Sequence, residues 1–173
     1  MMSHVYSFFL FSFFLYALKK FQLAEFYRYF ILLSIILAVA VLIRPTNILL
    51  GTLFFFWDAS DPAEWRKRLK QFLKPSYILC FLVILFIIFL PQMVYWKYLS
   101  GHWLHFSYRD EGFINWRNPK IFEVLFSPVN GLFAYTPMIF IVVAGMFIMI
   151  LQKKQNGWLI ATLFMLVTII CAS

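Results

Sequence analysis

Charge is what this chain has least of. Only 13% of its 173 residues are Asp, Glu, Lys or Arg, against 64% hydrophobic. A soluble domain carries about twice that charged fraction. The apolar residues also fall into long uncharged runs, so an ordinary water-soluble globule is excluded and an integral membrane protein is expected. Cysteine is scarce as well. Cys80 and Cys171 both lie inside apolar runs, which gives no support for a disulfide framework or a CxxC metal site and leaves two small buried hydrophobes. No GxSxG, HExxH, P-loop or GxGxxG is present, so the corresponding soluble-enzyme mechanisms gain no support. The Met1–Leu18 run lacks the basic start and small-residue cleavage site of a signal peptide. There is no internal repeat and no low-complexity linker.

The charge that is present is unbalanced: 15 Lys and Arg against 7 Asp and Glu, a formal net charge of +8. These basic residues sit between the apolar runs and not on one compact face, which points to anionic membrane lipid and not to nucleic acid as the partner. The apolar runs are 1–18, 29–43, 48–57, 76–91, 133–151 and 158–171. A helix needs about 20 apolar residues to cross a hydrocarbon core, so 48–57 is too short to cross alone. It follows Arg44-Pro45-Thr46-Asn47, where Pro45 disfavours helix in the residue before it. The expectation for 29–57 is a helix, a break and a short returning helix. Its rival is one long helix kinked at the proline.

Lysine and arginine set the direction. Lys19, Lys20 and Arg28 share one loop; Arg66, Lys67, Arg68, Lys70 and Lys74 a second; Lys153 and Lys154 a third. With a hairpin in 29–57 all three fall on one side, the cytoplasm, and 92–132 becomes an external polar loop. With a single long helix the basic loops split between the two sides, so the charges favour the hairpin. The N-terminus is then expected outside, and both ends suggest part of a longer chain. The fold class expected is therefore all-α: one polytopic transmembrane domain over 1–173, with a broken hairpin and one external loop. Within the second basic loop, Asp61-Pro62-Ala63-Glu64 reads as a helix start. Trp65, Leu69, Phe72 and Leu73 follow at helical spacing, which predicts an amphipathic helix on the anionic cytoplasmic leaflet.

The 92–132 segment holds most of the remaining polar chemistry, including Trp96, Lys97, His102, Trp103, His105, Tyr108, Arg109, Asp110, Glu111, Trp116 and Arg117. IFEVLF (121–126) reads as a short interfacial helix, and Pro137 as a kink in the next span. Read plainly, the aromatic residues form a headgroup-level belt. Together with a carboxylate pair and cations they also suit a sugar ring and a phosphate. His102 and His105 are spaced i, i+3, but no third ligand stands at a secure spacing, so solvated histidines are favoured and no ligand set for a divalent metal emerges. Arg44, beside a helix break at a membrane face, must find a partner or water. It either snorkels to the headgroups or clamps a phosphate, helped by Thr46 and Asn47 at the start of the returning helix.

The ordered set LIRPTNILL (42–50), PQMVYWKYLSGHW (91–103), SYRDEGF (107–113) and LFSPVNGLFAYTPM (125–138) resembles bacterial multi-pass glycosyltransferases of the GT-C type. These are the enzymes similar to dolichyl-phosphate-mannose protein mannosyltransferases and to the lipid A aminoarabinose transferase. The resemblance covers most of 29–151. It implies a polyprenyl-phosphate-linked sugar donor and a site on the external face of a bacterial cytoplasmic membrane. It assigns Arg44 to the donor phosphate, and Trp96, Lys97, Tyr108 and Glu111 to the sugar or acceptor cavity; Asn47 at the start of the returning helix, and Arg109, pairing with phosphate or with Asp110, complete the expected substrate-binding set. The family's catalytic acid stands in a first external loop that this chain lacks. Asp110 and Glu111 are the only adjacent acidic pair expected outside, and they come late in the chain. An acid of this kind contributes about 10²–10⁴ in rate, so 1–173 alone is expected to be inactive. The alternative is a non-catalytic membrane protein, such as part of a transporter or flippase for lipid-linked sugar.

Overall fold

The computed structural model describes residues 3–24, 26–59, 61–104, 119–128 and 131–172. Those residues are helical, with no strand among them. They divide into two units: residues 1–56 with 61–106, and residues 57–60 with 107–173.

The first unit begins with α1, Ser3–Ala24, and α2, Tyr27–Ile43. α1 runs past the expected end at 18, because Lys19, Lys20, Gln22 and Leu23 are all good helix formers. The two helices pack antiparallel, Phe21 near the end of α1 meeting Phe30 near the start of α2 at 6.4 Å between ring centroids. Phe14, Ala17, Leu18, Leu33, Ile36 and Ala40 are buried between the helices of this unit. A 3-10 segment, Pro45–Leu49, and α3, Leu50–Phe56, follow. α4, Pro62–Phe72, starts at its proline behind Asp61, whose backbone is extended. Its apolar side meets the bundle, with Trp65 6.2 Å from Phe56.

α5, Pro75–Ser100, is the longest helix, at 26 residues. It starts beside the start of α2, where Tyr77 packs edge-on against Tyr27 at 5.0 Å and the Tyr27 hydroxyl donates to the Ser76 carbonyl at 2.9 Å. The two helices then run side by side in the same direction. The sequence suggested that the helix would end at 91. It continues through Pro91, since an internal proline removes one backbone bond and the nine residues after it keep the rest. What stops α5 is Gly101, left-handed at φ 75° with its N–H donating to the Lys97 carbonyl, a conformation that favours glycine. Among the described residues, α5 is the one helix long and apolar enough to cross a membrane. α2, the 45–56 segment and two helices of the second unit are apolar but shorter.

The second unit holds α6, Ile121–Phe126, α7, Leu132–Tyr135, α8, Ile139–Leu151, and α9, Gly157–Ala172. The expected span 133–151 is divided: helix stops at Tyr135 and resumes at Ile139, around the proline that cannot donate. Rings along its start form a ladder, Phe126 to Phe133 at 5.0 Å and Phe133 to Phe140 at 4.4 Å. α8 ends with Lys153 at φ 52°. The Lys154 N–H donates to Met149 and that of Lys153 to Ile150, the paired bonds of a Schellman cap.

Candidate functional site

Arg44 stands where α2 ends. Its backbone is extended, φ −147° and ψ 122°, as a residue before proline prefers. From there the chain folds back along α2. The Asn47 N–H donates to the Arg44 carbonyl at 2.9 Å, and the Asn47 side-chain amide donates to the Ala40 carbonyl at 2.9 Å. Further along, Gly51 lies so close to Leu37 that a Cβ there would stand 3.2 Å from Leu37 Cδ2. Phe54 meets Phe30 edge-on at 5.9 Å. Pairing 47 with 40, 51 with 37 and 54 with 30 makes an antiparallel hairpin. The 3-10 turns lengthen the short return: at ~2.0 Å per residue they stretch further than α-helix at ~1.5 Å. The returning segment thus reaches the level of Phe30.

The Arg44 side chain is exposed at the apex of this hairpin, and Asn47 is buried. Asn47 was expected to face a substrate, yet its amide holds the hairpin shut from inside. The returning helix also begins at Pro45, ahead of the Thr46-Asn47 pair. Trp96 and Lys97 are in the last turns of α5, not in a loop, because that helix runs on to Ser100. Counting equal rises from the Tyr27–Tyr77 contact sets Arg44 level with about position 94 of α5. Trp96 and Lys97 are therefore at the same end of the unit as Arg44. Trp96 is half-buried and Lys97 exposed. The Lys97 ammonium donates to the Gly101 carbonyl at 2.8 Å and stands 5.7 Å over the Trp103 ring, so it caps its own helix. Tyr108, Arg109, Asp110 and Glu111 lie outside the described residues, as do His105, Trp116 and Arg117. His102 is exposed just beyond α5.

The opposite end of this unit is basic. Lys19 and Lys20 at the end of α1, Arg28 at the start of α2, and Arg66, Lys67, Lys70 and Lys74 on and beside α4 are all exposed there. Beneath them Phe30, Phe54, Phe72 and Tyr77 form one aromatic cluster, Phe30 to Tyr77 at 4.6 Å and Phe54 to Phe72 at 6.3 Å. Arg68 differs from its neighbours. Its guanidinium donates to the Phe54 and Phe55 carbonyls at 3.5 and 3.4 Å, where the end of α3 has no further turn to satisfy them. The sequence places Arg68 in the second basic loop without assigning it a face. Its position with Trp65, Leu69 and Phe72, at i, i+3, i+4 and i+7, was the signal that it faces inward.

Two polar contacts of the second unit are structural. The Asp58 N–H donates to Asn156 Oδ1 at 2.9 Å, and Asn156 Nδ2 donates to Asp58 Oδ1 at 2.7 Å. Lys120, just before α6, pairs with Glu123 in its first turn at 3.3 Å. Among the described residues no three His, Cys, Asp or Glu side chains gather as a metal site would require. No protein-family model, curated protein or solved structure matches this chain.

Proposed function

We propose that this chain is a membrane-embedded helical portion of a polyprenyl-phosphate-dependent glycosyltransferase, acting at the external face of a bacterial cytoplasmic membrane. The observation that carries the membrane part is the outer surface of α5. Leu79, Leu82, Val83, Phe86, Ile87, Leu90 and Val94 are all exposed, an apolar stripe longer than water tolerates on a lone soluble protein. The helical hydroxyls agree with it. Ser12, Thr162 and Ser100 donate to the carbonyls of Phe8, Trp158 and Trp96, four residues back. Bonds within the helix of this kind are what lipid surroundings demand of a polar side chain. The basic end is then the cytoplasmic end, with α4 lying in the interface. Arg44 and the end of α5 face outside.

At that outer end Arg44 is the residue that meets the donor. Its planar fork binds a phosphate through two parallel hydrogen bonds. The extended backbone at 44 and the helix returning behind it fix where the side chain leaves the bundle. Trp96 offers a ring face to the sugar. The acid that takes the acceptor's proton is not among the described residues; Asp110 and Glu111 are the candidates this chain carries.

The test uses a photoreactive polyprenyl-phosphate sugar and the purified chain in detergent. Wild type should be labelled, and Arg44→Ala, which removes both bonds of the fork, should lose at least about tenfold in labelling, the effect of one charge-assisted hydrogen bond alone, at unchanged helicity by circular dichroism. Equal labelling of both removes Arg44 from the donor site.

A further inference from the structure

Two neighbouring cavities lie in the first unit, one running along the hairpin from its basic end and one at that end. The first, of about 270 Å³, is apolar, with Phe14, Phe30, Leu37, Gly51, Thr52 and Phe81 in its wall. The second, of about 190 Å³, is polar and lined by Phe21, Gln22, Glu64, Lys67, Arg68 and Gln71. Phe21 of the polar cavity packs on Phe54 of the apolar one at 5.5 Å, and the consecutive Gln71 and Phe72 serve one cavity each. Through Lys67 and Gln71 the polar cavity continues into an open groove flanked by Arg66, Lys70 and Lys74.

We infer that this pair of cavities binds one anionic diacyl phospholipid, with an acyl chain in the apolar cavity and the phosphate at the mouth of the polar one. The apolar cavity has room for about nine groups the size of a water molecule, a good part of an acyl chain. The Glu64 carboxylate keeps an anion out of the depth of the polar cavity. It therefore places the phosphate at the mouth, where Arg66, Lys67, Lys70 and Lys74 outnumber it. Arg68, in the lining of the polar cavity, is held by the Phe54 and Phe55 carbonyls of the apolar one, where the two linings meet. Gln22 and Gln71 are within the same lining; the Gln71 amide nitrogen donates to the Tyr77 hydroxyl at 3.1 Å, and its carbonyl oxygen suits a glycerol hydroxyl. A zwitterionic headgroup would bring its own cation against these lysines, so the site selects anionic lipid. The phosphate position is at the end of the unit away from Arg44, while the apolar cavity reaches up the hairpin to Ile48. The lipid site rests on the membrane reading but not on sugar transfer.

Native mass spectrometry of the purified full chain in detergent tests it, with phosphatidylglycerol, phosphatidylcholine and glycerol phosphate as probes. Phosphatidylglycerol should be retained, phosphatidylcholine much less, and glycerol phosphate not at all. Lys67→Gln and Lys70→Gln should each weaken phosphatidylglycerol about fivefold, and Arg66→Gln, at an exposed position, should do the same without touching the fold. Thr52→Leu should fill the apolar cavity and weaken binding with no change in charge. Lys153→Gln with Lys154→Gln, in the other unit, should leave it unchanged. Equal retention of phosphatidylcholine, or glycerol phosphate bound as tightly as the lipid, overturns the proposal. So does an unaltered Thr52→Leu protein, or equal loss from the 153 and 154 pair.

Discussion

The hairpin at Arg44 depends on one buried side chain, and its contribution can be worked out. Ala40 O accepts two hydrogen bonds, from the Arg44 N–H at 3.1 Å and from Asn47 Nδ2 at 2.9 Å. Asn47→Ala removes the second and leaves the first, so no buried carbonyl is orphaned. The loss should be the net value of one hydrogen bond, about 0.5–1.5 kcal/mol in general, and nearer ~0.6 kcal/mol on the average for side-chain bonds measured inside a membrane protein. Asn47→Asp is a harsher change of nearly equal size. It sets a carboxylate oxygen against the Ala40 carbonyl in a buried position, where an unpaired charge costs about 3–5 kcal/mol. Unfolding of the full chain by sodium dodecyl sulfate from mild-detergent micelles, followed by circular dichroism, reads both. The order expected is wild type, then Asn47→Ala, then Asn47→Asp, with the wider gap at the second step. If Asn47→Ala is unchanged, or the two variants coincide, the amide does not close the hairpin and the reasoning fails.

The other expectations are local. Gly131 is buried with its N–H on the Ser127 carbonyl at 2.8 Å, and an added Cβ would collide with the Ser127 backbone. Gly131→Ala should therefore destabilise the second unit by about 1–3 kcal/mol, seen as a lower melting temperature in detergent. Lys153, left-handed at the Schellman cap of α8, should gain about 1 kcal/mol on replacement by glycine, read in the same melt as a rise. Gly101→Ala should cost a similar ~1 kcal/mol at the end of α5, and hydrogen exchange there should quicken in the last turn and not beyond Pro91.

How much of this could be read beforehand depended on the range of the interaction. The break at Arg44-Pro45 and the start of α4 at Asp61-Pro62 were legible because proline acts on its immediate neighbours. IFEVLF stands as α6, for the same local reasons. The end of α5 was misplaced because Pro91 is a stop signal only where the surroundings cannot tolerate one missing bond. The glycine ten residues later carries the stop, and its left-handed backbone is not evident from its identity alone. Asn47 is expected from the sequence to help hold a phosphate at the start of the returning helix, and an asparagine there has two uses, capping or bonding inward. Only the fold-back onto Ala40 chooses between them. Arg68 was hidden by company: four other cations nearby disguised the one set in the apolar stripe. The Asp58–Asn156 pair had no local signal at all, its partners being 98 residues apart.

That last separation has a consequence in time. Residues 57–60 belong to the second unit although the chain on both sides of them belongs to the first. At a synthesis rate of ~5–20 residues per second, Asn156 leaves the ribosome about 5–20 s after Asp58. For that interval the hairpin, α4 and α5 can all form, while the short stretch between α3 and α4 waits for a clasp not yet made. The segment joining those helices is thus completed after them, and a ribosome stalled once α5 is out but before Asn156 would yield a first unit with its helices made and an open clasp.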